Sequence, residues 1–377
     1  MSSVLAATYL AFAVILAANV AYLRRMRRRM APIPCVPPMV SIIIPARDEA
    51  ENLRRLLPSL LAQEYPAFEV LVYDDDSADE TWSVLTGAND PRLRPVRGGT
   101  LPPGWVGKVY ALYRATRIAG GDLYLFLDAD VVLKDRRALG RLVARYLALP
   151  TDSVLTGIPQ MVGGGRLLVS LVPFIILTWL PLPLALRLRT GVLSGMNGQC
   201  WFIGREAYHR LEPHREHRTE VLEDIRIGRY LKAHGIAPHT LDLRHELTVR
   251  MYRDLPSAWR GFRKNVYPSM GETLPRFLSA HLLYVTIFVV APIVSPWFLA
   301  GAWGLKLATD RFVGYPLSIS LGAPLSLLLG AMLQIDSAVA HWRGSATWKG
   351  RRVSRRDVVG RTNLTTLLDA GAEAGQD

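Results

Sequence analysis

The run Leu123–Leu133, LYLFLDADVVL, constrains this chain more than any other. An apolar stretch ends in two aspartates one residue apart and then turns apolar again. A buried strand does not close on unpaired carboxylates, because uncompensated charge is costly away from water; it needs a cation or a hydrogen-bonding ligand there. Asp128 and Asp130 therefore read as half of a metal site for a phosphorylated substrate. A lone Asp-x-Asp is equally at home in a solvated turn, so its weight rests on the motifs around it.

Val4–Leu23 is almost uniformly apolar and long enough to cross a bilayer as a helix, and Arg24, Arg25, Arg27, Arg28 and Arg29 follow it. Positive charge after the apolar run, rather than before it, marks a retained anchor with its arginine end in the cytoplasm, not a cleaved leader. Beyond the proline-rich linker 31–38, Val40–Ile44 is the β-branched run expected of a strand buried on both faces, stopping at Pro45. A helix over Glu49–Leu61, a strand over Phe68–Tyr73, a strand near Leu93–Val96, a helix over Lys108–Ile118 and the strand Leu123–Leu127 follow. This alternation predicts an α/β fold with an open, mostly parallel sheet. A helix over 135–147 and a strand near 153–156 continue it. Gly195–Gly204, GMNGQCWFIG, reads as a pocket-lining loop, and Glu223 and Asp224 open a helix in EVLEDIRIGRY with Leu222, Ile225 and Tyr230 towards a core.

The stretch 167–186 is apolar but carries Pro173, Pro181 and Pro183, so it is expected to lie on the membrane surface rather than to span. The stretches 277–303 and 312–335 are expected to span, which returns the tail, with Arg343, Lys349, Arg351, Arg352, Arg355 and Arg356, to the side of the first arginine cluster. The expected division is an anchor and basic stop at 1–30, a cytoplasmic catalytic domain at 31–271, two spanning helices at 272–340 and a basic cytoplasmic tail at 341–377. That is a multi-pass protein of the cell (inner) membrane. The net charge of +13 points to anionic lipid and a phosphorylated substrate and away from nucleic acid, since the arginines gather beside apolar stretches. Cys35 and Cys200 make neither a disulfide framework nor a metal pattern. His209, His214 and His217 fall in what reads as a surface loop without metal-ligand spacing.

In open parallel sheets ligands sit outside the carboxyl ends of the strands. Pro45–Glu49, Asp74–Ser77 and Asp128–Asp130 all fall at such ends and are expected to face one crevice. A nucleotide diphosphate there would need a divalent cation, Mg2+ or Mn2+, on Asp130 with Asp128 close by. Lys108, opening a helix after a glycine-rich turn, could add charge to the phosphates. Asp75 could accept hydrogen bonds from a base or ribose, with Asp74 or Asp76 capping the next helix. The base that takes a proton from an attacking hydroxyl is expected to be Asp224, with Glu223 second. Arg250, Tyr252 and Arg253 are expected to border the acceptor.

In this order VSIIIPARDEAENL, VLVYDDDSADET, FLDADV and LEDIRIGRYLKAHG resemble the family 2 glycosyltransferases of the GT-A fold. The resemblance covers about Val40 to Gly271. It implies a Rossmann-like, mostly parallel catalytic domain with flanking transmembrane helices. It also implies inverting transfer of a hexose, glucose first, from a nucleotide-sugar donor, commonly a UDP-sugar. The anchors and the GWVGK and GFRKN stretches look closest to the branch that glycosylates lipids such as carotenoids, hopanoids and ceramide. Carried onto this chain, the resemblance has Pro45, Arg47 and Glu49 lining a uridine pocket and Asp75 on the uracil. Asp128 would lie near ribose and sugar, Asp130 on the metal, and Asp224 would act as base. Asp76 stands where the family often has Gly. Arg260-Gly261-Phe262-Arg263-Lys264 occupies the place of the Gln-x-x-Arg-Trp motif of processive synthases, which argues for single transfer. Transfer to a polyprenyl phosphate and nucleotide-sugar binding without turnover are the alternatives; a transporter is disfavoured by the few charges in the apolar segments.

Overall fold

The computed structural model describes residues 2–345, apart from 189, 190 and 272, together with 347–348 and 351–352. The strands are β1 (Val40–Ala46), β2 (Phe68–Asp74), β3 (Leu93–Arg97), β4 (Leu123–Leu127), β5 (Val131–Leu133), β6 (Ser153–Ile158), β7 (Gln160–Met161), β8 (Cys200–Gly204), β9 (Ala237–Asp242) and β10 (Leu247–Val249). Seven of them pair in the order β3-β2-β1-β4-β8-β6-β9. β1 to β4 are parallel to their neighbours among themselves, β8 runs antiparallel to β4 and β6, and β9 is parallel to β6. β5, β10 and β7 form a small second sheet.

Alternate residues of the parallel strands go to opposite faces, and both faces are covered. Ile42, Ile44, Val70, Val72, Leu125 and Leu127 pack with Leu53, Leu56 and Leu142 of the helices Ala50–Leu61 and Ala138–Leu147. Ile43, Leu71, Tyr124 and Phe126 pack with Ala111, Leu112, Ile227 and Leu231 of the helices Gly107–Thr116 and Glu223–Ala233. Each such aliphatic side chain contributes about 1.5–3 kcal/mol by leaving water, and the buried polar pair within these strands, Ser41 and Glu69, is hydrogen-bonded (2.7 Å).

Two local expectations change. β1 continues through Pro45 to Ala46; its pairing with β4 ends at Ile43, so a residue without an N–H is tolerated beyond that point. The pocket loop read over 195–204 ends in β8, which lies in the middle of the sheet with Cys200, Trp201, Phe202 and Ile203 buried. Four apolar residues after a glycine- and asparagine-rich turn are too few to show a period.

A third apolar cluster joins the helices outside the sheet. Ser2–Arg27, Leu274–Val294 and Ala323–Trp342 are each long and apolar enough to cross a membrane. The stretch 277–303 is not one helix: the chain is extended at Ser295, and a new helix, Pro296–Val313, begins. Likewise 312–335 is divided by Gly314, at φ 96°, and Pro316, and the long helix starts only at Ala323. Ser-Pro and Gly-x-Pro are helix stops that hydropathy alone passes over. The stretch 167–186 forms helices Arg166–Val169, Leu171–Trp179 and Leu182–Arg187. At the break between the last two, Asn19 donates to the carbonyls of Leu177 and Leu180 and accepts the N–H of Leu182. Ile293, Val294 and Trp297 are largely exposed at the turn between two helices, as a lipid-facing surface would be. Apart from the strands Thr347–Trp348 and Arg351–Arg352, the basic tail beyond 345 lies outside the described residues.

Candidate active site

The loops after β1, β2 and β4 form adjoining walls at the carboxyl edge of the sheet. The N–H of Asp75 donates to the Ala46 carbonyl (2.7 Å), and Arg47 Nη1 donates to the Asp75 carbonyl (2.5 Å) and lies 3.9 Å from its carboxylate. The N–H of Glu49 donates to Thr81 Oγ1 (2.8 Å), and Asn52 Nδ2 donates to the Glu49 carboxylate (2.5 Å). Pro45, Arg47 and Glu49 are half-buried along this wall, with Asp75 buried beside them. Asp74 does not cap a helix: its Oδ1 accepts the N–H of Ser77 (3.1 Å) and so shapes the turn, while the helix Thr81–Gly87 starts without a side-chain cap. Asp76 sits at φ 56°, the left-handed conformation that glycine takes without steric cost.

Next to it the loop after β4 is held by Asp128 N–H to the Gln199 carbonyl (3.2 Å) and Val131 N–H to the Asp128 carbonyl (3.2 Å). Lys108 bridges two carboxylates, its Nζ lying 2.8 Å from Asp128 Oδ1 and 2.9 Å from Glu223 Oε1. Burial pulls the ammonium pKa down, but Asp128, Glu223 and Asp224 outweigh it and hold the group well above its ordinary value. Lys108 is thus first a partner of these carboxylates rather than a free phosphate ligand. Beside Glu223, Asp224 Oδ2 accepts the N–H of Gly198 (2.9 Å) and Oδ1 that of Ile225 (2.8 Å). Burial, then the charge of Glu223, lifts the Asp224 pKa to about 6 against the opposing pull of Lys108 and the two N–H groups. Ile227 and Leu231, rather than Ile225, anchor the helix in the core.

Asp130 is lifted to about 7 by burial and by the charges of Asp128 and Glu49, against Lys108. Its Oδ1 is buried without a hydrogen-bond partner. A buried carboxylate oxygen left unsatisfied fits a cation, whereas a neutral core would supply a donor. Among the described residues no three acidic, His or Cys side chains converge to cage a metal. The chain therefore offers Asp130, with Asp128 close by but already paired to Lys108. Such a sparse oxygen set is of the kind that a hard divalent cation would complete with phosphate and water.

Two groups the sequence reading missed belong here. Gly198 supplies the N–H that orients Asp224, and a side chain at 198 would crowd that carboxylate at 3.1 Å. Arg166 joins Arg250, Tyr252 and Arg253 around a cavity of about 530 Å³, and the backbone N–H of Arg250 donates to the Asp130 carbonyl (3.1 Å). Gly198 falls within the loop read as lining a pocket, though its backbone role was not legible there, and nothing in the order of residues hinted at the second. The histidines are not in a surface loop: His209 and His214 lie on short helices, and His214 is buried against the Tyr208 hydroxyl (2.7 Å). Burial and the nearby Lys108 depress its pKa to about 3, so it stays neutral. In the Arg260–Lys264 segment, Arg263 pairs with Asp336 (3.1 Å), which also accepts from Trp259 (2.7 Å), tying this helix to Ala323–Trp342.

Residues 41–211 match the profile of Glycosyl transferase family 2. Over 109 residues the chain is 37% identical to a 4,4'-diaponeurosporenoate glycosyltransferase of Staphylococcus haemolyticus, 28% of each chain. Over 250 residues it is 24% identical to the protein of that name from Staphylococcus aureus, 65% of each. The chain thus spans less than two thirds of the length of these curated relatives. The mannosyltransferase PcManGT from Pyrobaculum calidifontis, solved in complex with GDP-Man and Mn2+, shares the fold with a TM-score of 0.52 at 22% identity, over 92% of this chain and 100% of that one. Residues 41–211 thus form a segment matching Glycosyl transferase family 2, within a chain of GT-A architecture.

Proposed function

We propose that the protein transfers a hexose, glucose first, from a nucleotide-sugar, a UDP-sugar first, to an amphipathic lipid in the membrane, with inversion at the anomeric carbon. The observation that carries this reading is a bridged cluster (Asp128, Lys108, Glu223) that acts electrostatically both on a separately oriented carboxylate, Asp224, and on the unsatisfied Asp130. Arg47, Glu49 and Asp75 bind the nucleoside end of the donor. Asp130, with Asp128, holds a divalent cation, which when bound stabilises negative charge on the departing diphosphate. Lys108 keeps a positive charge on the same side. Asp224, ionised above its pKa of about 6, accepts the proton of an acceptor hydroxyl, which attacks C1 from the face opposite the diphosphate. The catalytic domain faces the cytoplasm, on the side of the arginine run that ends the first helix.

The acceptor head enters by the cavity of Arg166, Arg250 and Arg253, beside helices that carry exposed apolar side chains. Three guanidinium groups against the single carboxylate of Glu51 favour an acceptor with an acidic head, as the name of the staphylococcal relatives' acceptor also does. Transfer to a polyprenyl phosphate is the second reading that the same groups favour. The deciding experiment incubates the full chain in membranes with labelled UDP- and GDP-sugars and a total lipid extract, with and without a chelator, and identifies the product lipid by mass. A labelled lipid is expected that disappears with chelator and with Asp130→Ala, and Asp224→Asn is expected to lower transfer to a hydroxyl acceptor by about 10²–10⁴-fold. Normal activity in both variants would falsify the assignment.

A further inference from the structure

A second cavity lies far along the chain from any of these residues. The first helix, Ser2–Arg27, and the helix Pro296–Val313 run side by side, with Tyr9 stacked on Phe298 at a centroid separation of 5.6 Å. Between them remains a groove of about 740 Å³ whose wall includes Ala13, Ala17, Gly304 and Phe312 and whose one end carries Arg24 and Arg311. From Leu10 to Arg24 the groove follows the helix for roughly 21 Å at 1.5 Å per residue. Both guanidinium groups are exposed, and among the described residues no carboxylate pairs with either.

We propose that this groove binds one anionic membrane phospholipid, with an acyl chain laid between the helices and the phosphate between Arg24 and Arg311. The inference rests on these helices lying in a bilayer, not on the catalytic reading. The apolar wall selects a hydrocarbon chain over any soluble anion. The two arginines stand where the apolar part of the first helix gives way to its basic run, the level at which headgroups lie. Two unpaired positive charges favour a lipid with net negative charge over a zwitterionic one, because only the former leaves no compensating cation of its own beside them. The groove shares no lining residue with the cavity of Arg166, Arg250 and Arg253, so its lipid is a resident rather than the acceptor.

The test is native mass spectrometry of the full chain released from nanodiscs containing equal phosphatidylglycerol and phosphatidylcholine. A Cβ built at Gly304 meets nothing within 4 Å, so Gly304→Phe fills the groove without forcing the helices apart. The wild type is expected to retain one phosphatidylglycerol with a preference of roughly tenfold over phosphatidylcholine. Gly304→Phe is expected to lose the bound lipid, and the exposed pair Arg24→Gln with Arg311→Gln to keep a lipid but lose the preference. Equal retention of the two lipids by the wild type, undiminished retention by Gly304→Phe, or displacement of the phosphatidylglycerol by the glycosylation acceptor would each overturn the proposal. The Arg pair keeps the test decisive if the phenylalanine variant fails to fold.

Discussion

Asp224 has a pKa lifted to about 6, chiefly by burial, and in the proposed role of base it is expected to set the acid side of the pH profile. A carboxyl with a raised pKa is protonated, and so useless as a base, below that value and ionised above it. With a hydroxyl acceptor, kcat/KM is therefore expected to fall tenfold per unit as pH drops below about 6, whereas an ordinary aspartate would hold activity to about pH 4. The measurement belongs at saturating Mn2+, because Asp130, at about 7 and proposed to hold the cation, would bind it less well as it becomes protonated. With a carboxylate acceptor, already ionised, the limb near 6 is expected to vanish. Asp76 gives a second test: at φ 56° its replacement by Gly is expected to be neutral or slightly stabilising, and by Val to cost about 1–2 kcal/mol in thermal or denaturant unfolding. An equal effect of both substitutions would show that the turn is not under this constraint. At this scale the carboxylates were legible because acidic residues at strand ends contradict their surroundings. Gly198 and Arg166 were not, since one acts through a backbone N–H and the other through a neighbour 84–87 positions away in the chain, Arg250 and Arg253.

Among the elements, the parallel strands announced themselves as unbroken β-branched runs, and the amphipathic helices that cover them as spaced leucines. β8 did not, because it is short, runs against its neighbours and follows a turn that dominates its local sequence. The apolar helices were legible in number and not in extent, since two prolines and Gly314 reset their ends. The helix Pro296–Val313 also carries a wholly buried ion pair, Lys306 with Asp310 (2.5 and 2.7 Å), completed by the hydroxyls of Ser170 and Ser320. Lys306→Met alone leaves a buried carboxylate without its cation and is expected to cost about 3–5 kcal/mol. Lys306→Met with Asp310→Leu is expected to recover most of that, read as thermal unfolding in detergent. A double variant no more stable than the single one would mean that the pair acts through its serine contacts instead.

Over the whole molecule, one apolar cluster lies on each face of the sheet and a third holds the outer helices together with the Arg166–Trp179 stretch. The arginine-lined cavity sits where that third cluster meets the second, small sheet, through Val162–Gly164 after β7 and Arg250 after β10. Fold class followed from alternation alone. The position of the outer helices did not, because it depends on contacts such as Trp259 with Asp336 that join distant parts of the chain.

The two-way bridge of Lys108 between Asp128 and Glu223 has a kinetic corollary. Until a diphosphate draws on that ammonium, both carboxylates are satisfied and the neighbourhood of Asp224 is locked, so the nucleotide is expected to enter first and leave last. Initial rates at varied donor and acceptor should give intersecting reciprocal plots, with UDP competitive only against the donor. Parallel lines would instead betray a covalent glycosyl-enzyme, with a carboxylate of the site acting as nucleophile rather than base.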